Sequence, residues 1–361
     1  MSFRAEVLPE MGPEYAVCER ALAAAGVRLP LPHRAGWGLA RRGVDARRIV
    51  LRTPDGVCAA AFGVDAAASR ALPGFRLLRV ERFGAALPRP VWTAAVQALA
   101  ALAHGGPRVL RLSVEVFSRD DETRAALGAL LAQAGFARAA VRNWDTTLAI
   151  DLRPSERDLL ASFSPFARRA IRSTEKLPVQ VRVIDDPRLG ARMEALRRET
   201  LGRTGAHYEA LFDWPGVIEL SQRLPDASRL VGLFRTDQVG AEALIGFDWG
   251  WWNGDSVSYF AGASSRPTDL SQVKVGHPLM WDLIAWAKRA GAAWFDLGGV
   301  PRGTAGSDDP VGGISQFKRF FSKQTAEVAA DWVLEPRPLP ARLATLVNTG
   351  VAWVARVAGG R

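Results

Sequence analysis

The sequence predicts a mixed α/β protein built as two successive units of like order, followed by an amphipathic helix. Three observations lead there. Apolar runs of strand length meet at turn signals and then alternate with helical periods, twice, in the order hairpin, strand, helix, strand, helix, strand. The chain of 361 residues exceeds the usual size of one domain. An apolar fraction of 48% with 23% charged residues is that of an ordinary globular chain. No residue-level repeat accompanies the duplication, so it is one of pattern only.

The first unit spans residues 1–152. EYAVCERALAAAG reads as a helix and LPLPHRAGW as a loop. ARRIVLRTPDGVCAAAFGV reads as a hairpin, because Pro54 fixes φ and Gly56 accepts the left-handed position in its turn. GFRLLRVERFG is a strand, and PRPVWTAAVQALAALAHGG a helix with prolines near its start and glycines after its end. RVLRLSVEVF is the next strand. Asp120, Asp121 and Glu122 then put negative charge at the start of a helix that ends at Gly135. VRNWDTTLAIDL closes the unit as a long strand.

Residues 153–227 form a helical connection. RPSERDLLASFSPFARRAIRSTEK reads as one helix from Ser155, with Leu159, Leu160, Phe163 and Phe166 apolar and Arg168, Arg169, Arg172 and Lys176 basic at helical spacing. The strand VQVRVID and two helices, ARMEALRRETLGRTG and EALFDWPGVIELSQRL, complete it. The second unit, 228–335, opens with three strand-like runs around the Asn253-Gly254 hairpin signal. A helix over about 276–290, the strand AAWFDLGG, a linker over 300–312, a short helix around 314–322 and the strand TAEVAADWVLE follow. In the tail, 336–361, Leu343, Leu346, Val347, Val351, Val354 and Val357 share one side of a helix; it packs on the domain or, with Arg342, Arg356 and Arg361, docks on a membrane.

Composition narrows the function classes. The net charge is +10, from 42 Arg and 5 Lys against 37 acidic residues, which favours polyanionic partners without choosing among them. No stretch of 18 apolar residues lacks a charge, and the N-terminus lacks the apolar core of an export signal. Cys18 and Cys58 have no metal spacing, and the four histidines are scattered, so reduced thiols, a cytoplasmic setting and no metal are expected.

Two copies of the element order suggest GNAT-like acyltransferase domains in tandem, and the second half resembles the Fem family of aminoacyl transferases. Four segments carry the resemblance: Trp144 to Leu152 leading into SFSPFARRAIRSTEK, the helix pair with Arg203 and Tyr208, HPLMWDLIAWAKRAGAAWFDLGG, and GGISQFKRFF. They span about residues 140–325; the first 140 match by element order alone. The 190–225 region is too short for the coiled-coil arm of some members. The resemblance implies a cytoplasmic enzyme with no bound cofactor that moves an aminoacyl group from tRNA to an amine of a peptidoglycan precursor. It places Phe317-Lys318 at the reaction centre and makes Arg203, His207 and Tyr208 an acceptor-binding corner. Relatives also include acyl-CoA transferases, so the substrate does not follow from the fold.

The residues themselves permit this chemistry. Aminolysis of an ester needs an amine near the carbonyl and positive charge where the oxyanion develops. Lys318 suits the second task; the plain alternative is a solvated lysine beside Arg319 and Lys323. Arg168, Arg169 and Arg172 can bind phosphates or form a solvated face. Asp296 can orient the amine or take its proton, or it can close an Asx turn, while Gly298 and Gly299 let the backbone approach a ligand. Trp251, Trp252 and Trp281 can stack a ring, though core packing is the commoner use. The loop Val273–Pro278 has one glycine, and Pro278 lacks an N–H, so it makes a poor cradle for a pyrophosphate. That argues for a donor other than acyl-CoA. An acyl-CoA N-acyltransferase of polysaccharide or amino-sugar metabolism, and a non-catalytic precursor-binding protein, are the alternatives.

Overall fold

The computed structural model describes residues 2–106, 108–140, 145–204, 212–300 and 312–347. In chain order its elements are β1 (Arg4–Pro9), α1 (Pro13–Ala24), β2 (Asp45–Arg52), β3 (Cys58–Ala68), β4 (Arg76–Phe83), α2 (Trp92–Gly105), β5 (Val109–Phe117), α3 (Asp121–Gln133), β6 (Ala137–Arg138) and β7 (Thr146–Asp151). Then come α4 (Glu156–Ser162), α5 (Pro165–Ser173), β8 (Val179–Val183), α6 (Gly190–Thr204), α7 (Trp214–Arg223), β9 (Ser228–Arg235), β10 (Leu244–Trp252), β11 (Ser256–Ser264), α8 (Gly276–Arg289), β12 (Trp294–Gly299), α9 (Gly312–Arg319), β13 (Thr325–Glu327) and β14 (Ala329–Leu334). Residues 338–347 form a tail helix.

The strands make two mixed sheets, β1-β2-β3-β4-β5-β14-β6 and β13-β7-β12-β11-β10-β9-β8. The fold is thus the expected mixed α/β pair, but sheet membership does not follow chain order. β7, expected to close the first unit, pairs with β12 and β13 in the second sheet. TAEVAADWVLE, expected as one strand of the second unit, is two. Its first part pairs with β7 and its second part enters the first sheet between β5 and β6. The switch occurs at Val328, which is buried; its N–H bonds to Asp145 O (2.8 Å) and its carbonyl to Ser118 N (2.9 Å). Each backbone group at the crossing keeps a partner, so the chain changes sheets without a buried unpaired amide.

The expected helix from Ser155 is broken in two. Ser155 caps α4, and Ser164 caps α5 by accepting from Ala167 N, with Pro165 in the first turn of α5. A proline lacks the N–H an interior turn needs but suits a first turn, so the chain stops and restarts there. The helix expected from EALFDWPGVIELSQRL is shorter too, beginning at Trp214 with Pro215 in its first turn. The linker 300–312 and the tail positions Val351, Val354, Arg356, Val357 and Arg361 lie largely or wholly outside the described residues.

The second sheet is covered on both faces. Gly246 and Gly250 of β10 face Val275 and Leu283 on the α8 side. Trp249 and Trp251 face the other way and pack with Trp37 from the first half and Trp214 of α7. Trp251 and Trp252 are core residues, with Arg28 stacked 3.4 Å from the Trp252 ring, and Trp281 packs edge-on against Phe163. Trp251 and Trp252 offer no open ring face in the manner of a stacking platform.

The two halves meet where α7 lies against the turn 37–40. A Cβ on Gly216 of α7 would overlap the Leu39 carbonyl oxygen, a backbone atom that cannot swing aside. Glycine to alanine inside an open helix stabilises. Gly216→Ala is expected to do the opposite, lowering stability by about 1–3 kcal/mol through overpacking. A lower urea midpoint at constant m-value checks it; a raised midpoint would contradict the contact.

Candidate active site

Two parallel strands in the middle of the second sheet part company. β11 and β12 pair at Ser256/Trp294, Val257/Phe295 and Ser258/Asp296, and not beyond. On β11, the pairing to β10 jumps from Tyr259 to Ala261, leaving Phe260 as an extra residue. On β12, the pairing to β7 jumps from Asp296 to Gly299, and Gly298 takes φ +82. Bulges at the same level on neighbouring strands bend both and open a gap. The gap lies at the carboxyl side of parallel strands flanking a crossover helix, the place where open α/β sheets receive ligands.

Asp296 sets the mouth of this gap. Its buried carboxylate accepts from Thr147 Oγ1 on β7, from Ser258 Oγ (2.8 Å) and from Gly298 N (2.7 Å). Asn253 Nδ2 donates to Ser258 Oγ in turn (2.5 Å). The Gly298 bond is the Asx turn the sequence allows. With three donors inside the sheet, the carboxylate fixes the conformation of Gly298-Gly299.

Lys318 of α9 enters the gap. Its Nζ donates to Gly299 O (2.7 Å) and lies 3.2 Å from where a side chain on Gly298 would begin; Tyr259 O is 3.4 Å from the same point. Gly298 is therefore favoured by its φ, and the ammonium over it leaves little room for a side chain. Lys318 is 7% exposed, which sets it apart from a solvated surface lysine. Phe317, its neighbour on α9, turns toward α8. Its ring sits 3.2 Å from the Cβ position of Gly276, so it covers the first turn of α8.

Beneath that ring lies His277, which the sequence shows only as part of a His-Pro dipeptide. It is buried among Phe166, Phe317, Phe320 and Phe321, and its Nε2 has no hydrogen-bond partner. Burial, helped by the Lys274 charge, outweighs a backbone bond to Lys274 and lowers its pKa to about 4. The phenylalanines of SFSPF and FKRFF are the sequence signal for this cage. A second group was also missed. Asp248 of β10 is buried with Oδ2 unpartnered, and burial raises its pKa well above the usual range. With the Tyr259 hydroxyl it fills the space over Gly262. One acid in the apolar run LIGFDWGWW was the available cue.

The remaining expected residues divide. Arg203 is tied to the far end of β11: it donates to Ser264 O (3.1 Å) and pairs with Glu199 (3.5 Å), while Thr200 Oγ1 also bonds to Ser264. Burial and then the Arg266 charge lower its pKa against the opposing effect of Glu199. His207 and Tyr208 lie outside the described residues. The arginine stripe comes apart. Arg168 donates to Ala161 O (2.8 Å) and Phe163 O (2.6 Å), closing the end of α4, because helix breakage leaves carbonyls there to satisfy. Arg169 and Arg172 stay exposed on the outer face of α5. An open cavity of about 700 Å³ beside α9 is lined by Ser162, Ser164, Arg319, Phe320 and Lys323, among others.

Among the described residues the first sheet shows no such gap. β4 and β5 remain paired as far as Phe83/Val116. Arg82, at φ 55, bonds through its N–H to Glu115 (3.2 Å) and stacks on Phe117 at 3.7 Å, filling the level where β11 and β12 part.

A neutral buried histidine makes stability depend on pH. Its folded pKa is depressed, so the native state binds fewer protons than the unfolded chain between pH 6.5 and 4. Stability attributable to it is present above pH 6.5 and is lost as pH falls toward 4, with a slope of up to about 1.4 kcal/mol per pH unit. Replacing His277 with Leu, which keeps the apolar contacts, should flatten the unfolding free energy over that window. An unchanged slope would mean the ring is protonated in the folded state.

Residues 161–319 match the family model of an acetyltransferase (GNAT) domain. No curated protein matches the sequence. Among solved structures the chain is similar to FemX, with a TM-score of 0.64 at 16% identity over 86% of this chain and 94% of that one. It is similar to L-PGS from Bacillus licheniformis, with a TM-score of 0.54 at 13% identity over 95% and 98% of the two chains. It is also similar to the C-terminal domain of a putative lysylphosphatidylglycerol synthetase from Agrobacterium fabrum, with a TM-score of 0.51 at 13% identity over 92% and 96%. With its gap between parallel strands and its two joined sheets, the chain has a Fem-type fold, and its residues 161–319 carry the acetyltransferase (GNAT) domain.

Proposed function

We propose that the chain transfers an aminoacyl group from aminoacyl-tRNA, in the cytoplasm, to an amine of a peptidoglycan precursor or related acceptor. The observation that carries this reading is the buried ammonium of Lys318 in the gap between β11 and β12. The amine nitrogen attacks the ester carbonyl, the ester C–O bond breaks, the ribose oxygen leaves with a proton, and an amide results. Lys318 meets the negative charge that builds on the carbonyl oxygen, in a site where burial strengthens the interaction. Asp296 serves as a positioning residue through Gly298. Arg203, with His207 and Tyr208, takes the acceptor, and Arg169 and Arg172 meet phosphates of the RNA.

Acyl-CoA is the second donor to weigh. The usual seat for its pyrophosphate is the first turn of the crossover helix. Here that turn carries Pro278 and lies under the Phe317 ring. This favours a donor whose phosphates bind elsewhere. The neighbours named FemX and lysylphosphatidylglycerol synthetase point the same way, toward aminoacyl chemistry.

Transfer from a pool of charged tRNA to a cell-wall precursor amine is expected, with ribonuclease abolishing it. Lys318→Ala should reduce kcat/KM by about 10²–10³ with an unchanged unfolding midpoint. Ribonuclease-resistant turnover with acyl-CoA would replace the donor, and undiminished turnover in the variant would remove Lys318 from the reaction.

A further inference from the structure

The tail helix is turned inside out relative to an ordinary surface helix. Its inward side is made of Ala341 and Ala344, which pack against Leu110, Leu72 and Phe75 of the first half. Its outward side carries Leu339 (77% exposed), Leu343 (52%), Leu346 (69%) and Val347 (38%). At 100° per residue, Leu339, Leu343 and Leu346 fall within a narrow stripe opposite the two alanines. The helix is fixed in that orientation: Arg337 donates to Gly106 O (2.9 Å) and Val109 O (3.3 Å) just before it, and β14 anchors it upstream. Isolated exposed apolar residues need no explanation, but four on one face of one helix mark an interaction surface.

Charge selects the partner. Residues 336–361 contain Arg337, Arg342, Arg356 and Arg361 and no acidic residue. Exposed Arg108 approaches Gly74 beside the Leu72–Phe75 segment that receives the helix, and Arg70 is exposed just before it. A second copy of this chain, meeting the stripe about a twofold axis, would bring two acid-free basic tails together. A nucleic acid would satisfy the arginines but not the leucines. An anionic bilayer satisfies both, with apolar side chains below the headgroups and arginines among the phosphates. No helix among the described residues is long and apolar enough to cross a membrane, so the helix would lie in the interface.

We propose that this helix docks the protein on anionic bilayers, with Leu339, Leu343, Leu346 and Val347 as the inserted side chains. The docking does not depend on the aminoacyl-tRNA reading; if both hold, the acceptor amine is carried on or delivered at a membrane surface.

The test is co-sedimentation of the full chain with 100 nm vesicles of phosphatidylcholine alone or with about 30% phosphatidylglycerol, alongside the double variant Leu343→Asp/Leu346→Asp. Binding to the anionic vesicles should exceed binding to the neutral ones by about tenfold or more and weaken at high salt. The double variant should lose about tenfold or more while its unfolding midpoint and its tRNA-dependent turnover on a water-soluble amine stay unchanged. Equal binding of variant and parent would overturn the proposal. So would a dimer in light scattering that the variant dissociates, which assigns the face to a second copy. A variant with a lowered unfolding midpoint would show that the stripe is covered by the protein's own chain. Binding of the parent chain to anionic vesicles with no tRNA-dependent turnover by that parent chain would count against the catalytic reading alone.

Discussion

The exchange of strands between the two sheets is the constraint on which the rest of the structure depends. β7 belongs to the first half by sequence but supplies the strand on which β12 bulges, and its Thr147 hydroxyl holds one oxygen of Asp296. β14 makes the return crossing one residue after β13. Trp294 of the second sheet stacks on Phe117 of the first at 6.2 Å, and Arg119 lies 4.9 Å from the same ring, close to the crossing. The gap that receives Lys318 therefore has walls from both halves. Neither half could be removed without opening a hydrogen-bonded edge in the other's sheet.

A chain of short contacts runs from that crossing to the ammonium. Thr147, Ser258 and Gly298 N satisfy Asp296; Asp296 sets Gly298; Gly298 has no side chain to block Lys318; Gly299 O receives its Nζ. Burying an ammonium and a carboxylate is costly unless hydrogen bonds take over from water. Here carbonyls, hydroxyls and amides do so, and the carboxylate is held by neutral donors of the sheet. A carboxylate so engaged stays within the fold, while the lysine lies in the gap, where the proposed acyl transfer calls for positive charge.

Much of this was legible in the chain, and the limits have physical causes. Periodicity gave nearly every helix and strand, since amphipathic faces and turn residues are local properties. Asn253-Gly254, Pro54-Asp55-Gly56 and the Asp120 cap are in place as read. What periodicity cannot report is which sheet a strand joins, because a strand with two buried faces fits either; hence β7 and β14. Ser164-Pro165 was readable as a helix restart, but a continuous apolar face across it concealed the break. The lysine and Gly298-Gly299 could be singled out, whereas the cage around His277 depends on α5, α8 and α9 meeting, a long-range fact. Arg168 shows the converse error: basic spacing looks like a ligand stripe until a neighbouring helix end claims one member.

The two halves also show how one pattern can be kept for structure or opened for chemistry. In the first sheet the residue at the bulge is Arg82, in a left-handed backbone conformation that is unfavourable for any residue with a Cβ. Its cost is offset by the Glu115 bond and by the stacking on Phe117, and the result is a closed sheet with its charge turned inward. In the second sheet the left-handed residue is Gly298, on the strand after the crossover helix, so no side chain of its own fills the gap and a lysine from a different element can. Arg82 lies near the end of the strand before the crossover helix α2 and Gly298 lies on the strand after the crossover helix α8; the filled position leaves the β4–β5 pair packed, and the empty one leaves the β11–β12 pair open. Among the described residues the candidate site lies in the second sheet, and the first half contributes Thr147 to it and seats the helix whose apolar face looks outward.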